Sequence, residues 1–335
     1  MMFGVSPVLL LAALHLGAIA GDPRPVPTDP ETAPAAGQPD AIQLALGETS
    51  SRLTVPVAVG RTGPYNFIID TGAERTVVSR ELASLLRLAP GGTVLVTSMT
   101  GRSTVETVIV PDLQIESIGT SHAIVAPAFY AQHLGAAGLL GIDTLRDHQV
   151  TIDFDTGTME VRPSVKRKRN ARHAADEIVV TAKDQFGQLI VTDAYYANTR
   201  VRVVLDTGSQ VTMGNTALRK KVGKNVGALQ TIELTSVDGG KTEAQYGHVP
   251  SMRVSNVAFD ALPVAFADAE PFKRFGLTKR PAIMLGMDAM RSFRRVEIDF
   301  PNRQVRFFLP RPAREKRPNA EAPLLSRGFR AAARD

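Results

Sequence analysis

The chain has 335 residues, is 44% hydrophobic and 21% charged, contains no cysteine, and carries a formal charge of +6. That balance suits a soluble protein with a core large enough for two domains. The missing cysteines exclude disulfides, thiolate metal sites, a cysteine nucleophile and cysteine-linked lipids. The positive charge does not read as a nucleic-acid surface, because residues 162–177 hold six basic against two acidic residues and residues 311–335 hold seven against three. Those two segments exceed the whole excess and read as a solvated linker and tail.

In chain order, residues 1–20 are uncharged apart from the amino terminus, and an apolar stretch leads to Ala18-Ile19-Ala20, a small-residue cleavage pattern. They are expected to be a signal peptide, with an N-terminal membrane anchor as the alternative. Without cysteine, export to a bacterial periplasm or the exterior is the expected localisation. Residues 21–45 are rich in proline and alanine and read as a linker. Residues 46–162 and 178–310 have strand character, separated by the basic linker 163–177 and followed by the basic tail 311–335.

The two central segments repeat each other. FIIDTGAERTVV at Phe67 matches VVLDTGSQVTM at Val203. TSMTGRST at Thr97 matches TSVDGGKT at Thr235. VPDLQI at Val110 matches VPSMRV at Val249, and GLLGIDTL at Gly138 matches AIMLGMDAM at Ala282. Each half then closes on the same element, VTIDF at Val150 and VEIDF at Val296. Five blocks in one order indicate a tandem duplication. RLTVPVAVG and the segment from Lys221 to Val237 show β-branched alternation. The residues after each Asp-Thr-Gly allow a short helix, and Asp143 and Asp288 are expected as helix N-caps. Each half is therefore expected to be mostly β, with short helices.

Asp70 and Asp206 each end an apolar strand, where a lone carboxylate is costly to ionise. Each is followed by a threonine hydroxyl and a glycine that permits close approach of another chain. If the halves pack about a pseudo-twofold axis, the carboxylates meet and share one proton. One is then a general base for water and the other a general acid, with no metal or cofactor required. A third Asp-Thr-Gly, at Asp155, follows the closing strand of the first repeat, and its counterpart is Pro301-Asn302-Arg303. It is expected to be a hairpin turn.

Hydrophobic-hydrophobic-Asp-Thr-Gly at Asp70 and Asp206, each with a later hydrophobic-hydrophobic-Gly strand (Leu139-Leu140-Gly141 and Met284-Leu285-Gly286), resembles the retropepsin-like aspartic proteases of the pepsin and retroviral clan. The resemblance covers most of both repeats and implies an all-β, pepsin-like bilobal fold of two β-barrel lobes related by pseudo-twofold symmetry. It implies an aspartic endopeptidase acting on polypeptide substrates, with Asp70 and Asp206 as the catalytic pair. It further implies that Thr71 and Thr207 bond across the axis and that Gly72 and Gly208 let the turns approach. Met99, Thr100 and Gly101, with Val237, Asp238 and Gly239, would form flaps, and whether one or both close is open.

The chain would act as a monomer with an intramolecular pseudo-dimer, a homodimer being the alternative, without nucleic-acid binding or membrane insertion after signal cleavage. A non-catalytic peptide-binding or dimerisation module in the cell envelope is the alternative function. Phosphoryl transfer through an aspartate is disfavoured, because glycine stands where a second acid is wanted. Ser209 offers a hydroxyl where the first repeat has Ala73, so ionisation is expected to be biased toward Asp206.

Overall fold

The computed structural model describes residues 53–115, 119–166, 177–185 and 188–310, together with a short strand, β1 (Val8–Leu10), that runs parallel to residues 96–98. The rest of the expected signal peptide, the linker 21–45, most of the basic linker and the tail 311–335 lie outside the described residues.

In the first repeat, TVPVAV buries Val55, Val57 and Val59 on one face and forms β2 (Thr54–Val59). Next comes β3 (Thr62–Ile69), which ends at Asp70, and then the short β4 (Val77–Ser79). Helix α1 (Arg80–Leu85) is capped by Ser79, whose Oγ accepts the Leu82 N–H at 3.0 Å. A meander of β5 (Ala89–Ser98), β6 (Arg102–Ile115) and β7 (Gly119–Phe129) leads through α2 (Ala131–Leu134) to β8 (Gly138–Leu140). The repeat closes with α3 (Ile142–Leu145), β9 (His148–Asp153) and β10 (Thr158–Pro163).

The second repeat opens with β11 (Glu177–Gln185) and follows the same plan. Strands β12 (Gln188–Tyr196) and β13 (Thr199–Leu205) reach Asp206, followed by β14 (Met213–Gly214) and α4 (Thr216–Val222). A 3-10 turn at Gly223–Val226 replaces the strand that alternation suggested there, because its two flanking glycines let the chain reverse. Strands β15 (Gln230–Thr235), β16 (Lys241–Val254) and β17 (Val257–Phe266) form the second meander. Helix α5 (Glu270–Arg274), β18 (Ala282–Leu285), α6 (Met287–Met290), β19 (Arg295–Asp299) and β20 (Gln304–Phe308) complete it.

Both repeats form β-barrel-like lobes. In the first, β5-β6-β2-β3-β8-β4-β7 is closed by a β6–β7 pairing. In the second, β12-β13-β18-β14-β17-β16-β15 is closed by β12–β16. The later Gly strand lies between the Asp-bearing strand, to which it is parallel, and the short strand after Asp-Thr-Gly, to which it is antiparallel. GLL and AIML are buried throughout, as a strand covered on both faces must be. The register, Ile68↔Leu139 and Val204↔Met284, ends each Asp-bearing strand at the same height. Asp70 and Asp206 then donate their backbone N–H to Leu140 and Leu285 at 2.9 and 3.0 Å.

The closing strands join the lobes. β9 pairs antiparallel with β19, Val150↔Ile298 and Ile152↔Val296, so the matching elements of the two repeats meet about a local twofold at Thr151 and Glu297. With β10, β20 and β11 at the sides, one continuous sheet runs β10-β9-β19-β20-β11. Its inner face buries Val150, Ile152, Val296, Ile298, Val305 and Phe307 in a core shared by both lobes. Its outer face carries a ladder of alternating charge, Asp153–Arg295, Glu297–Arg306 and Arg306–Glu177. Asp155 is an exposed residue in the β9–β10 turn, as its counterpart in sequence implies.

Phe307 is fully buried in this shared core, with its ring 4.7 Å from that of Phe293. Phe307→Ala should cost about 3–5 kcal/mol by leaving a cavity beneath the joining sheet. Urea denaturation should show that loss as a lowered midpoint with an unchanged slope.

Candidate active site

The two Asp-Thr-Gly turns meet at the junction of the lobes, held by a reciprocal clasp. The Thr71 N–H donates to Thr207 Oγ1 and the Thr207 N–H donates to Thr71 Oγ1, both at 3.1 Å. Each hydroxyl has one proton, and each gives it to a carbonyl of the other lobe. Thr71 Oγ1 donates to Leu205 O at 3.0 Å and Thr207 Oγ1 to Ile69 O at 2.6 Å. Those carbonyls immediately precede the opposite aspartates. Four charge-neutral hydrogen bonds in a buried site therefore fix the two Asp residues to each other, and each is worth more there than in water.

Gly72 lies against the opposite carboxyl. A Cβ built on it would stand 2.7 Å from Asp206 Oδ1, and one on Gly208 would overlap the carboxyl of Asp70. The glycines are thus required for close approach of the turns. The carboxyls themselves are locked by backbone donors. Asp70 Oδ1 accepts from the N–H groups of Gly72 and Ala73 at 2.8 and 3.0 Å. Asp206 Oδ1 accepts from those of Gly208 and Ser209 at 3.2 and 3.1 Å.

Burial, and the charge of Asp70 beside it, push the Asp206 carboxyl well above the usual carboxylate range. Because Oδ1 of Asp206 is taken by two N–H donors, the proton it retains belongs on Oδ2. The pair can therefore hold one proton between two carboxyls, the state needed for paired acid and base work.

This corrects the expected bias of ionisation toward Asp206. The Ser209 hydroxyl does not reach the carboxylate, because it donates to the Val211 carbonyl at 2.7 Å. The two repeats then supply Asp70 and Asp206 with equivalent backbone donors, and burial decides the protonation of Asp206 instead.

Behind each turn stands a second carboxylate. Asp143 Oδ1 accepts from the N–H and hydroxyl of Thr76 at 2.9 and 2.8 Å. Asp288 accepts from the N–H and hydroxyl of Thr212 at 2.9 and 2.5 Å. Those hydroxyls in turn accept the N–H groups of Gly141 and Gly286, at 3.1 and 3.0 Å. The expectation of helix N-caps is corrected: Gly141 and Gly286 hold the cap positions, and the aspartates lie in the first turn, tying the Asp-Thr-Gly loop to the Gly strand.

Several contacts at the site had no sequence signal. Gln188, buried at the start of β12, donates its Nε2 to the carbonyl of Gly72 in the other lobe. Glu74, next to the first turn, forms an ion pair with Arg274 of α5 across the junction, both side chains largely buried. Spacings of 116 and 200 residues leave nothing for a local motif to capture. The flap candidates Met99, Thr100 and Gly101 form the turn between β5 and β6, and Val237, Asp238 and Gly239 the turn between β15 and β16. The two turns touch each other: Thr100 Oγ1 lies 3.5 Å from Asp238 Oδ1.

The sequence profile of the family described as Aspartyl protease matches residues 55–144 and 192–289, more than half of the chain and once in each lobe. The chain belongs to this aspartyl protease family. It does so as a tandem member, each matched region containing one Asp-Thr-Gly turn and the Gly strand behind it. Among solved structures, a retropepsin-like aspartic protease from Rickettsia conorii is similar at 17% identity. That match covers 40% of this chain and 90% of that one, with a TM-score of 0.30. No curated protein matches.

The buttressing carboxyls behind the two turns give the fold an expected pH dependence. Burial raises Asp288 to about 6 and raises Asp143 in the same direction. A carboxyl raised in the folded state binds more protons folded than unfolded, so its contribution to stability declines as pH rises from about 4 to about 6. Asp288 is only half-buried and lines a surface cavity, so the change should be on the order of 1–2 kcal/mol. Asp288→Asn should flatten stability over that window. Denaturation curves at pH 4 to 7.5 test this: an unaltered pH dependence in the variant would remove Asp288 as its source.

Proposed function

We propose that the chain is an aspartic endopeptidase whose catalytic pair is Asp70 and Asp206, one from each lobe of the same molecule. The observation that carries the reading is the reciprocal threonine clasp, with each glycine against the opposite carboxyl. An arrangement that buries two carboxyls at close range is costly, and it is useful where one proton must be held between them.

The proposed reaction needs only these groups. A water between the carboxyls loses a proton to ionised Asp70 as its oxygen attacks the peptide carbonyl carbon. Asp206 Oδ2 gives its proton to the carbonyl oxygen, forming a neutral tetrahedral diol. As the C–N bond breaks, the proton on Asp70 passes to the leaving nitrogen and a hydroxyl proton of the diol returns to Asp206. The products are a carboxylic acid and an amine, and the pair regains its single shared proton. The active form carries one proton across the pair, so the rate should fall when that proton is lost and when a second is gained.

The antiparallel β9–β19 pair favours a site within one chain, since it joins the lobes through backbone hydrogen bonds. A non-catalytic peptide-binding module is the competing reading, and loss of either aspartate would leave such a module's binding intact. The proposed setting outside the cytoplasm rests on the N-terminal sequence alone.

Asp70→Asn and Asp206→Asn should each lower peptide cleavage by at least about a thousandfold without lowering the unfolding midpoint. Asp155→Asn should stay within about twofold, since it lies in an exposed turn. Equal loss in all three variants would overturn the assignment. Specific activity should also hold constant on dilution to nanomolar protein, and a steep fall would favour pairing between chains.

A further inference from the structure

A surface cavity of about 190 Å³ lies between β17 and α6 of the second lobe. Its lining includes Phe259 and Phe293, whose rings meet edge to face at 5.7 Å. Leu309, the first residue past β20, also lines it and leaves 41% of its surface exposed. The two charged residues of the lining, Asp260 and Asp288, are both acidic. An apolar hollow edged by carboxylates suits an occupant that is apolar at its centre and cationic on its flanks.

The chain itself supplies such a segment. Residues 311–335 begin two positions after Leu309 and hold seven basic against three acidic residues. They contain one aromatic residue, Phe329, set in Ser326-Arg327-Gly328-Phe329-Arg330. Arginine thus stands two positions before the ring and one after it. An apolar cavity of about 150 Å³ is enough to bind benzene, so this one has room for a phenyl ring. The Phe259 and Phe293 rings offer it further aromatic contact. About 19 residues join Pro310 to Phe329 and span up to about 60 Å when extended, so the segment can turn back onto its own lobe. Tethered in this way, its effective concentration at the cavity is on the order of millimolar, and modest contacts suffice.

We propose that this cavity is a docking site for residues 326–330 of the same chain. The Phe329 ring fills the hollow against Phe259 and Phe293, and Arg327 and Arg330 pair with Asp260 and Asp288. The contact forms within one chain, because β20 delivers the segment to the cavity at Leu309. Asp288 also accepts from the N–H and hydroxyl of Thr212, so the docked segment touches the buttress behind the Asp206 turn. The charged part of the contact weakens as salt rises, whereas the ring contact does not. Docking here does not depend on the endopeptidase reading.

The chain has no tryptophan, so Phe329→Trp places a single indole fluorophore in the segment. In the full chain its emission should be at least fivefold less quenched by acrylamide than in a synthetic peptide of residues 311–335 carrying the same substitution. Adding Ala258→Arg, which sets a bulky cation at an exposed position of the lining, should restore the quenching of the free peptide. A second measurement keeps the native ring. With Arg330→Lys, carbodiimide should join the new amine to Asp260 or Asp288 within one chain, and Phe329→Ser should reduce that product at least fivefold. Both signals should be independent of protein concentration. Quenching equal to that of the free peptide, together with no such cross-link, would overturn the proposal. Shielding that survives Ala258→Arg would also overturn it, as would signals that grow with concentration, which would put a second copy's segment in the cavity.

Discussion

Two buried carboxyls that face each other across a lobe junction impose the constraint on which the rest depends. Each raises the cost of ionising the other, so the fold must hold them together against their own repulsion. The threonine clasp does this with four neutral hydrogen bonds, which keep their strength in a dry site and add no further charge. The remaining architecture keeps the clasp in register. The Gly strand behind each turn fixes its height, the Thr–Asp buttress ties turn to strand, and the β9–β19 pair fixes one lobe against the other.

Symmetry and its failures have separate consequences. The backbone donors to Asp70 Oδ1 and Asp206 Oδ1 come from equivalent positions of the two repeats. Duplication within one chain, however, frees the two halves to diverge where a homodimer could not. Glu74 faces Arg274 across the junction, whereas the matching position of the second repeat is Gln210. Met99 and Val237 differ at matching hairpin turns. These differences lie around the paired aspartates rather than between them.

Much of this was legible in the sequence, for a physical reason. The dyad depends on local rules, namely an apolar strand, a terminal aspartate, a hydroxyl and a glycine, and such rules leave short motifs. Their duplication made the fold readable as well, down to Asp155 in a hairpin turn. Failures came where a side chain had a choice of partners. The Ser209 hydroxyl could reach a carboxylate or a carbonyl, and the backbone at Val211 proved nearer. Asp143 and Asp288 stood where a cap was expected, but Thr76 and Thr212 offered two donors each from across the fold. Gln188 and Arg274 gave no signal, because their partners are brought near only by the docking of the lobes.

The central claim is that one chain builds one complete site in which both aspartates act together. Calorimetric titration of the full chain with a peptide carrying a secondary alcohol in place of the cleaved bond tests it most directly. Such a group mimics the tetrahedral diol and should contact both carboxyls. The account predicts one site per chain, proton uptake or release that varies with pH, and binding weakened at least tenfold by Asp70→Asn and by Asp206→Asn alike. One site per two chains, or affinity indifferent to either substitution, would contradict it.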